Sequence, residues 1–382
     1  MVNDMDKKNI LFITGTRADY GKIKSLIRII EDSDDFEAFV YVCGMHLVEL
    51  FGATYIEVLK DKYKNVHVAH GLINTGKMSY DLGNVICHLT GYVENIKPDM
   101  VVVHGDRCEA LAGAIVGALN NIRVAHIEGG ELSGSIDESI RHAVSKLSHL
   151  HFVSNSEAKK RLIQLGEENE RIFIIGSPDI DIMLSNNLPT IATVKEWYDI
   201  IFENFSILIY HPITTELSTI GRNVNVLLKA VEKSDRNYVV IYPNNDFGSE
   251  IILEEYQRFL GNTCFACYPS MRFEYFLSLL KNADFIIGNS STGVREACIY
   301  GIPSIDIGGR QANRYKIEDT PNIQHVDENE DEILEAIDKA HLFRQESFVF
   351  GDGDSAKKFM QIVSDETIWN LKVQKKFMDC CW

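Results

Sequence analysis

Three polar clusters in this chain have the residue types that acid–base chemistry needs, and each directly follows or closely trails a short apolar run. His104-Gly105-Asp106-Arg107 places a carboxylate and a guanidinium side by side where a helix should begin. Ala125-His126-Ile127-Glu128-Gly129-Gly130-Glu131 adds two more carboxylates after the next run, and Asp137-Glu138-Ser139-Ile140-Arg141-His142 opens the helix after that. An acidic residue at a helix start is often only a dipole partner or a cap. Three such clusters after successive strands are harder to dismiss in that way. Several carboxylates converging in one cleft push at least one pKa upward, which proton transfer near neutral pH requires.

A second group of segments suits phosphate. Gly15-Thr16-Arg17-Ala18-Asp19-Tyr20-Gly21-Lys22 joins the first apolar run to a helix, and a helix N-terminus with a nearby arginine and lysine suits a diphosphate. The loop lacks the G-x-G-x-x-G spacing of a dinucleotide site. It also misses the P-loop pattern, because five residues separate its glycines and Ile23 stands where Ser or Thr should bind magnesium. In the second half, His211 ends an apolar run beside Pro212, and Gly288-Asn289-Ser290-Ser291-Thr292-Gly293-Val294-Arg295-Glu296 feeds a helix expected to end near Gly301. Backbone N–H groups and the Ser290 and Ser291 hydroxyls can hold a diphosphate, and Glu296 can accept from ribose hydroxyls. Gly309-Arg310-Gln311-Ala312-Asn313-Arg314 adds two arginines. The carboxylates thus belong to the first half and the strongest phosphate candidate to the second, a division that suits a sugar worked on by one domain and a nucleotide held by the other.

The elements that must position these residues follow from hydrophobic pattern. Residues 9–14, 36–42, 100–104, 123–127, 151–153 and 172–175 read as strands, and Ile23, Leu26, Ile27 and Ile30 mark one face of a helix. Glu109 to Leu119, rich in Ala and Gly, reads as a helix suited to close packing on a sheet. The pattern restarts after about residue 180 with strands at 206–210, 238–242, 285–287 and 304–307, and the stretch from Ser185 to Thr193 reads as the linker. Continuous apolar strands alternating with helices predict two doubly wound α/β domains in tandem. In such sheets ligands bind beyond the carboxyl ends of the strands, where the polar clusters stand.

Composition narrows the partners. The net charge of −17 argues against a nucleic-acid surface, which needs a concentrated basic face. Eight dispersed cysteines in a long chain predict a reduced, cytoplasmic protein rather than a disulfide scaffold. Cys264 and Cys267 form a lone C-x-x-C whose intervening Phe265 and Ala266 suggest a buried strand in place of a metal or redox site. Neither a signal-peptide apolar region nor eighteen consecutive apolar residues occur, so no membrane association is expected.

Taken together the motifs resemble the hydrolysing branch of the UDP-N-acetylglucosamine 2-epimerases, which includes bacterial sialic-acid-pathway enzymes and the epimerase half of the animal bifunctional epimerase/kinase. The matching pieces are ITGTRADYGK, VVVHGDR, HIEGGELSGSIDESIRHAVSKLSH, IIGSPD, YHPITTE, IYPNND, RFEYF, IGNSSTGVREA, YGIPSIDIGGRQANR and QKKF, in order from residue 13 to residue 377. The resemblance implies two Rossmann-like domains facing a central cleft, as in GT-B glycosyltransferases. Residues 1–180 would form the sugar domain and 181–365 the UDP domain, with 366–382 packing back on the first. By position, Asp106, Glu128 and Asp137 match the catalytic carboxylates and His211 the active-site histidine. Arg17, Lys22, Arg107, Arg141, Asn244, Ser290, Ser291, Glu296 and Arg310 are the remaining candidates for contact with the UDP-sugar. Gly21 replaces a serine and Gly309 a threonine that relatives carry, which puts one hydroxyl contact in doubt at each position. The implied reaction releases UDP and N-acetylmannosamine through a 2-acetamidoglucal, with no cofactor and no metal, in a homodimer or homotetramer. The same motifs admit a hydrolysing enzyme for UDP-N,N'-diacetylbacillosamine. A non-hydrolysing epimerase is a further alternative, though GTRAD and HIEGG stand here where its relatives read GTRPE and HVEAG. A GT-B glycosyltransferase and a UDP-sugar sensor complete the set.

Overall fold

The computed structural model describes residues 7–49, 52–73, 75, 77–133, 136–213, 216–243, 247–312 and 314–379. They divide into two compact units. Unit 1 comprises the described residues of Met1–Glu131, Ile136–Leu184 and Gly351–Trp382, and unit 2 those of Leu132–Ser135 and Ser185–Phe350.

Unit 1 is a seven-stranded sheet of β1 (Lys8–Thr14), β2 (Phe36–Val42), β3 (Asn65–Val68), β4 (Met100–His104), β5 (Arg123–Ile127), β6 (Leu150–Val153) and β7 (Ile172–Ile174). Their order is β3-β2-β1-β4-β5-β6-β7, and every pair is parallel. Parallel strands must bury both faces, and β1 shows how. Ile10 and Phe12 pack with Ile23, Leu26 and Ile27 of helix Arg17–Glu31, while Leu11 and Ile13 pack with Val85 and Leu89 of helix Met78–Ile96 on the other face. Helix Cys108–Leu119 lies close on the sheet through Gly113 and Gly117, where an added Cβ would stand 2.4 Å from Ile13 and 2.5 Å from Val124. The chain returns to this unit at Gly351. Phe359 and Val363 of helix Ser355–Val363 and Ile368 of helix Glu366–Asn370 join the same core as Ile10 and Phe12.

Unit 2 repeats the plan with β8 (Ser206–Ile209), β9 (Tyr238–Ile241), β10 (Phe265–Tyr268), β11 (Ile286–Gly288), β12 (Ser304–Ile307) and β13 (Ile323–Val326). The order is β10-β9-β8-β11-β12-β13, again all parallel. Leu208 and Val240 face one core, and Ile207 and Val239 face the other. Strand β10, read as buried from Phe265 and Ala266, is a half-buried edge strand, with no strand among the described residues pairing beyond it. The helix expected from Ser290 to about Gly301 is two short turns, Ser291–Val294 and Glu296–Ile299, broken at Arg295. Among the described residues no helix is long and apolar enough to cross a membrane.

Strand order reverses between β1 and β4 in unit 1 and between β8 and β11 in unit 2. At such a switch point the two flanking connections leave in opposite directions and open a crevice at the carboxyl ends. The loops that follow those four strands are those starting at Gly15, Gly105, Tyr210 and Asn289.

Away from the switch point, unit 1 buries a charged knot. Glu167 is 3% exposed and accepts from His151 Nε2 at 3.0 Å, Lys146 Nζ at 2.8 Å and Lys375 Nζ at 2.5 Å. Burial alone would raise its carboxyl, but His151, Lys375 and Lys146 outweigh it and hold the pKa down at about 2, against an ordinary 4.5. A depressed carboxylate stabilises the fold above its unfolded pKa, and that contribution is lost as pH falls toward the folded value. Glu167→Gln is therefore expected to lower Tm at neutral pH, with the gap to the parent shrinking as pH falls from about 5 to 3. Thermal unfolding across that range checks it, and a gap that stays constant would contradict the assignment.

Candidate active site

At the unit 1 switch point, the loop after β1 is held by its own carboxylate. Asp19 accepts from the Thr14 hydroxyl at 2.7 Å and from the backbone N–H groups of Gly15 and Thr16 at 2.9 Å each. Thr16 caps helix Arg17–Glu31 in return, which leaves Arg17 at the first helical position. Buried His46 braces the loop through Thr14 at 3.0 Å and Thr54 at 2.7 Å, and burial lowers its pKa to about 4. Lys22, expected near phosphate, forms an ion pair with Asp179 at 2.7 Å. Across the crevice Arg107 stands at the N-cap position of helix Cys108–Leu119 without a side-chain capping bond, its Nη2 3.6 Å from Met45 Sδ.

One guanidinium ties two of the carboxylate-bearing segments together. Arg141, only 5% exposed, donates from Nη1 to the Glu128 carbonyl at 2.6 Å and from Nη2 to Asp106 Oδ2. Asp137 lies one turn earlier on the same helix, Ile136–Leu147, and so shares Arg141's face. Its charge reaches the Cys108 thiol, which burial chiefly, helped by Glu109 and Asp137, pushes up to about 11. Asp106, from the connection after β4, and Glu128 and Asp137, both from the connection after β5, are thus linked through Arg141 of helix Ile136–Leu147.

Glu128 is the most constrained of the three. It is 4% exposed, and its backbone has φ +60°, a left-handed conformation uncommon outside glycine. Its Oε1 accepts from the Ser177 hydroxyl at 2.5 Å, and its Oε2 lies 3.2 Å from His104 Nε2. Such an outlier persists only where surrounding contacts fix it, and it aims the carboxylate at a chosen place. His126 supports the neighbouring loop, with Nε2 2.8 Å from the Gly105 carbonyl and Nδ1 3.0 Å from Ser145 Oγ. Burial lowers its pKa to about 3, so the ring is neutral. A carbonyl can only accept, which puts the proton on Nε2 and makes the Ser145 hydroxyl the donor to Nδ1. His104, Ser177, His126 and Ser145 were not singled out for roles in the sequence reading, although all four lie within its motifs. Strand-terminal His104 and Ser177, after β7, carried the available signal.

In unit 2, His211 and the loop after β11 are tied together by Asn289, which is fully buried. Its Oδ1 accepts from the His211 backbone N–H at 2.7 Å, and its Nδ2 donates to the His211 carbonyl at 2.9 Å. Its own carbonyl accepts from Arg310 Nη1 at 3.0 Å and Gln311 Nε2 at 2.8 Å. The two strands approach so closely here that Gly288, at φ +135°, leaves no room for a Cβ, which would fall 1.9 Å from the Ile209 carbonyl oxygen. Ser290 caps the following turn by accepting from the Thr292 N–H at 3.3 Å. Ser291 is half-buried at its start, and Glu296 is buried at 6% exposure. His211, Ser290 and Arg310 are therefore gathered by one asparagine that the sequence reading quoted without assigning it a role. Asn244 lies outside the described residues. Among the described residues no group of three or more His, Cys, Asp or Glu side chains could hold a metal ion.

Comparison with known proteins agrees on one family. The sequence model for UDP-N-acetylglucosamine 2-epimerase matches residues 28–364. The UDP-N-acetylglucosamine 2-epimerase of Neisseria meningitidis serogroup B is 46% identical over 377 residues, covering 97% of this chain and 99% of that protein. The hydrolysing UDP-N,N'-diacetylbacillosamine 2-epimerase of Legionella pneumophila is 33% identical over 364 residues, covering 93% and 95%. Among solved structures, a UDP-GlcNAc 2-epimerase from Neisseria meningitidis bound to UDP-GlcNAc superposes with a TM-score of 0.79 at 18% identity, covering 93% of this chain and 99% of that one. At that identity the likeness speaks for the fold alone, an α/β arrangement of two parallel sheets of the GT-B kind.

Removing the Asn289 side chain would leave a backbone N–H and a carbonyl without their partners. Asn289→Ala is expected to destabilise unit 2 by about 2–4 kcal/mol. Thermal unfolding measures this, and a Tm within error of the parent's would show that the clamp is dispensable.

Proposed function

The chain belongs to the UDP-N-acetylglucosamine 2-epimerase family, and from that premise we propose that it converts UDP-N-acetylglucosamine and water to N-acetylmannosamine and UDP. The observation that supports this reading beyond the family is Arg141, which joins the Asp106 carboxylate to the Glu128 backbone one helical turn from Asp137, since the chemistry consists of proton transfers at one carbon. A base removes the proton on carbon 2 while the diphosphate leaves carbon 1, giving 2-acetamidoglucal. Water then adds at carbon 1 and a proton is delivered to the opposite face of carbon 2. Two faces need two proton carriers, and Asp106, Glu128 and Asp137 share the transfers. Cationic and hydrogen-bonding groups stabilise the departing charge. Unit 1 offers Arg17 and Arg107 for this, and unit 2 offers His211, Ser290, Ser291 and Arg310 together with Glu296 for the nucleotide. Nothing is oxidised, so the reaction calls for no nicotinamide.

The choice of sugar follows the relatives, at 46% identity for the N-acetylglucosamine enzyme against 33% for the bacillosamine enzyme. The product suits sialic-acid synthesis, in keeping with the sequence motifs. A cytoplasmic homo-oligomer completes the reading, and the cysteines among the described residues are all free thiols, as a reducing compartment would keep them.

Incubation with UDP-N-acetylglucosamine alone is expected to release UDP and free N-acetylmannosamine together. Accumulation of UDP-N-acetylmannosamine would indicate the non-hydrolysing reaction, and turnover of UDP-N,N'-diacetylbacillosamine only would reassign the sugar. Asp106→Asn and Glu128→Gln are each expected to lower kcat by at least about a hundredfold. UDP affinity should stay within about twofold, because the carboxylates act on the sugar. Parallel loss of turnover and UDP binding would remove them from the chemistry.

A further inference from the structure

Helix Ile136–Leu147 carries Asp137 and Arg141 at its front and Ser145 near its rear, and its rear is closed by a residue very distant in sequence. Lys375 Nζ donates to the carbonyls of Ser145 at 3.2 Å and Ser148 at 2.7 Å, and to Glu167 Oε2 at 2.5 Å. A cation at a helix C-terminus satisfies carbonyls that have no partner in the helix and complements the dipole. The segment delivering Lys375 is itself pinned. Arg123 donates to the carbonyls of Trp369 and Leu371, the second at 3.1 Å, and Arg171 Nη1 donates to the Lys372 carbonyl at 3.1 Å. Beneath the ammonium, Glu167 is fixed in turn by His151 and Lys146.

We propose that Lys375 is a positioning residue for the carboxylate cluster, acting through this helix. Two contacts carry its effect forward. One is Arg141, which holds Asp106 and the Glu128 carbonyl. The other runs from the Ser145 hydroxyl through His126 to the Gly105 carbonyl, adjacent to Asp106. Without the ammonium, the carbonyls of Ser145 and Ser148 at the helix end each lose a donor and Glu167 loses one of three, and the helix is released to shift along its axis. A displacement of a fraction of an ångström at the front is enough to spoil proton transfer while leaving the fold intact. The proposal rests on the epimerase reading above for its catalytic consequence.

The test uses full-length Lys375→Met and Lys375→Arg, measuring kcat, KM, UDP affinity, Tm and amide hydrogen exchange. Lys375→Met is expected to lower kcat at least about tenfold, with KM and UDP Kd within about twofold. Exchange across 136–147 should quicken, and Lys375→Arg, which keeps the cation, should recover most of kcat. Should Lys375→Met be unfolded at the assay temperature, Lys375→Gln must show the same split between kcat and UDP affinity. Parental kcat in the neutral variants, or kcat and UDP affinity falling together, overturns the proposal. A parent that fails to turn over UDP-N-acetylglucosamine defeats the epimerase reading instead, whereas unchanged exchange across 136–147 defeats the positioning role on its own.

Discussion

Arg141 brings a full positive charge to a place where it is 5% exposed, and the arrangement around it follows from neutralising that charge. A buried guanidinium needs acceptors on several sides, and it finds the Asp106 carboxylate and the Glu128 carbonyl. The same contacts draw the ends of β4 and β5 toward helix Ile136–Leu147, which brings Asp137 along. Glu128 then adopts its left-handed backbone and turns its carboxylate to Ser177 and His104. Arg141 thereby links the segments that carry three acids separated in sequence by up to thirty-one positions.

Topology determines why those acids are where they are. Both sheets reverse their strand order once, beside β1 and β8, and the loops that flank each reversal hold Arg17, Asp106, Arg107, His211, Ser290 and Ser291, while Glu128, Asp137 and Arg141 follow the neighbouring β5 and Arg310 follows β12. The two units solve the same problem with different chemistry. Unit 1 braces its crevice with charged and imidazole side chains, Asp19, His46, His126 and Arg141. Unit 2 relies on the amide of Asn289 and a glycine that allows two strands to touch. The first suits proton transfer, where fields and tautomers matter. The second suits holding a polyanion through backbone groups and neutral donors.

Much of this was legible in the sequence because buried parallel strands are continuous apolar runs. MVVVH, RVAHI and SIDI announced themselves, and the polar residues just after them marked the carboxyl edge. The edge strands β3 (NVHV) and β13 (IQHV) did not, since half-buried positions mix polar with apolar residues and imitate loops. The carboxylates were visible as types at strand ends, but their partners were not. Ser177 lies forty-nine positions from Glu128 and Lys375 lies 230 from Ser145, and no local pattern encodes such contacts. Arg141 shows the same limit. As a residue type it reads as a candidate for the UDP-sugar, and its burial and its bonds to the Asp106 carboxylate and the Glu128 carbonyl appear only in the fold.

The central claim is that the carboxylate cluster removes and returns a proton at carbon 2 of the sugar. Proton NMR of UDP-N-acetylglucosamine turnover in deuterated water tests it most directly. The account predicts N-acetylmannosamine carrying deuterium at carbon 2, formed in step with free UDP. Product that keeps the original proton at carbon 2 would contradict it, whatever the rate of UDP release.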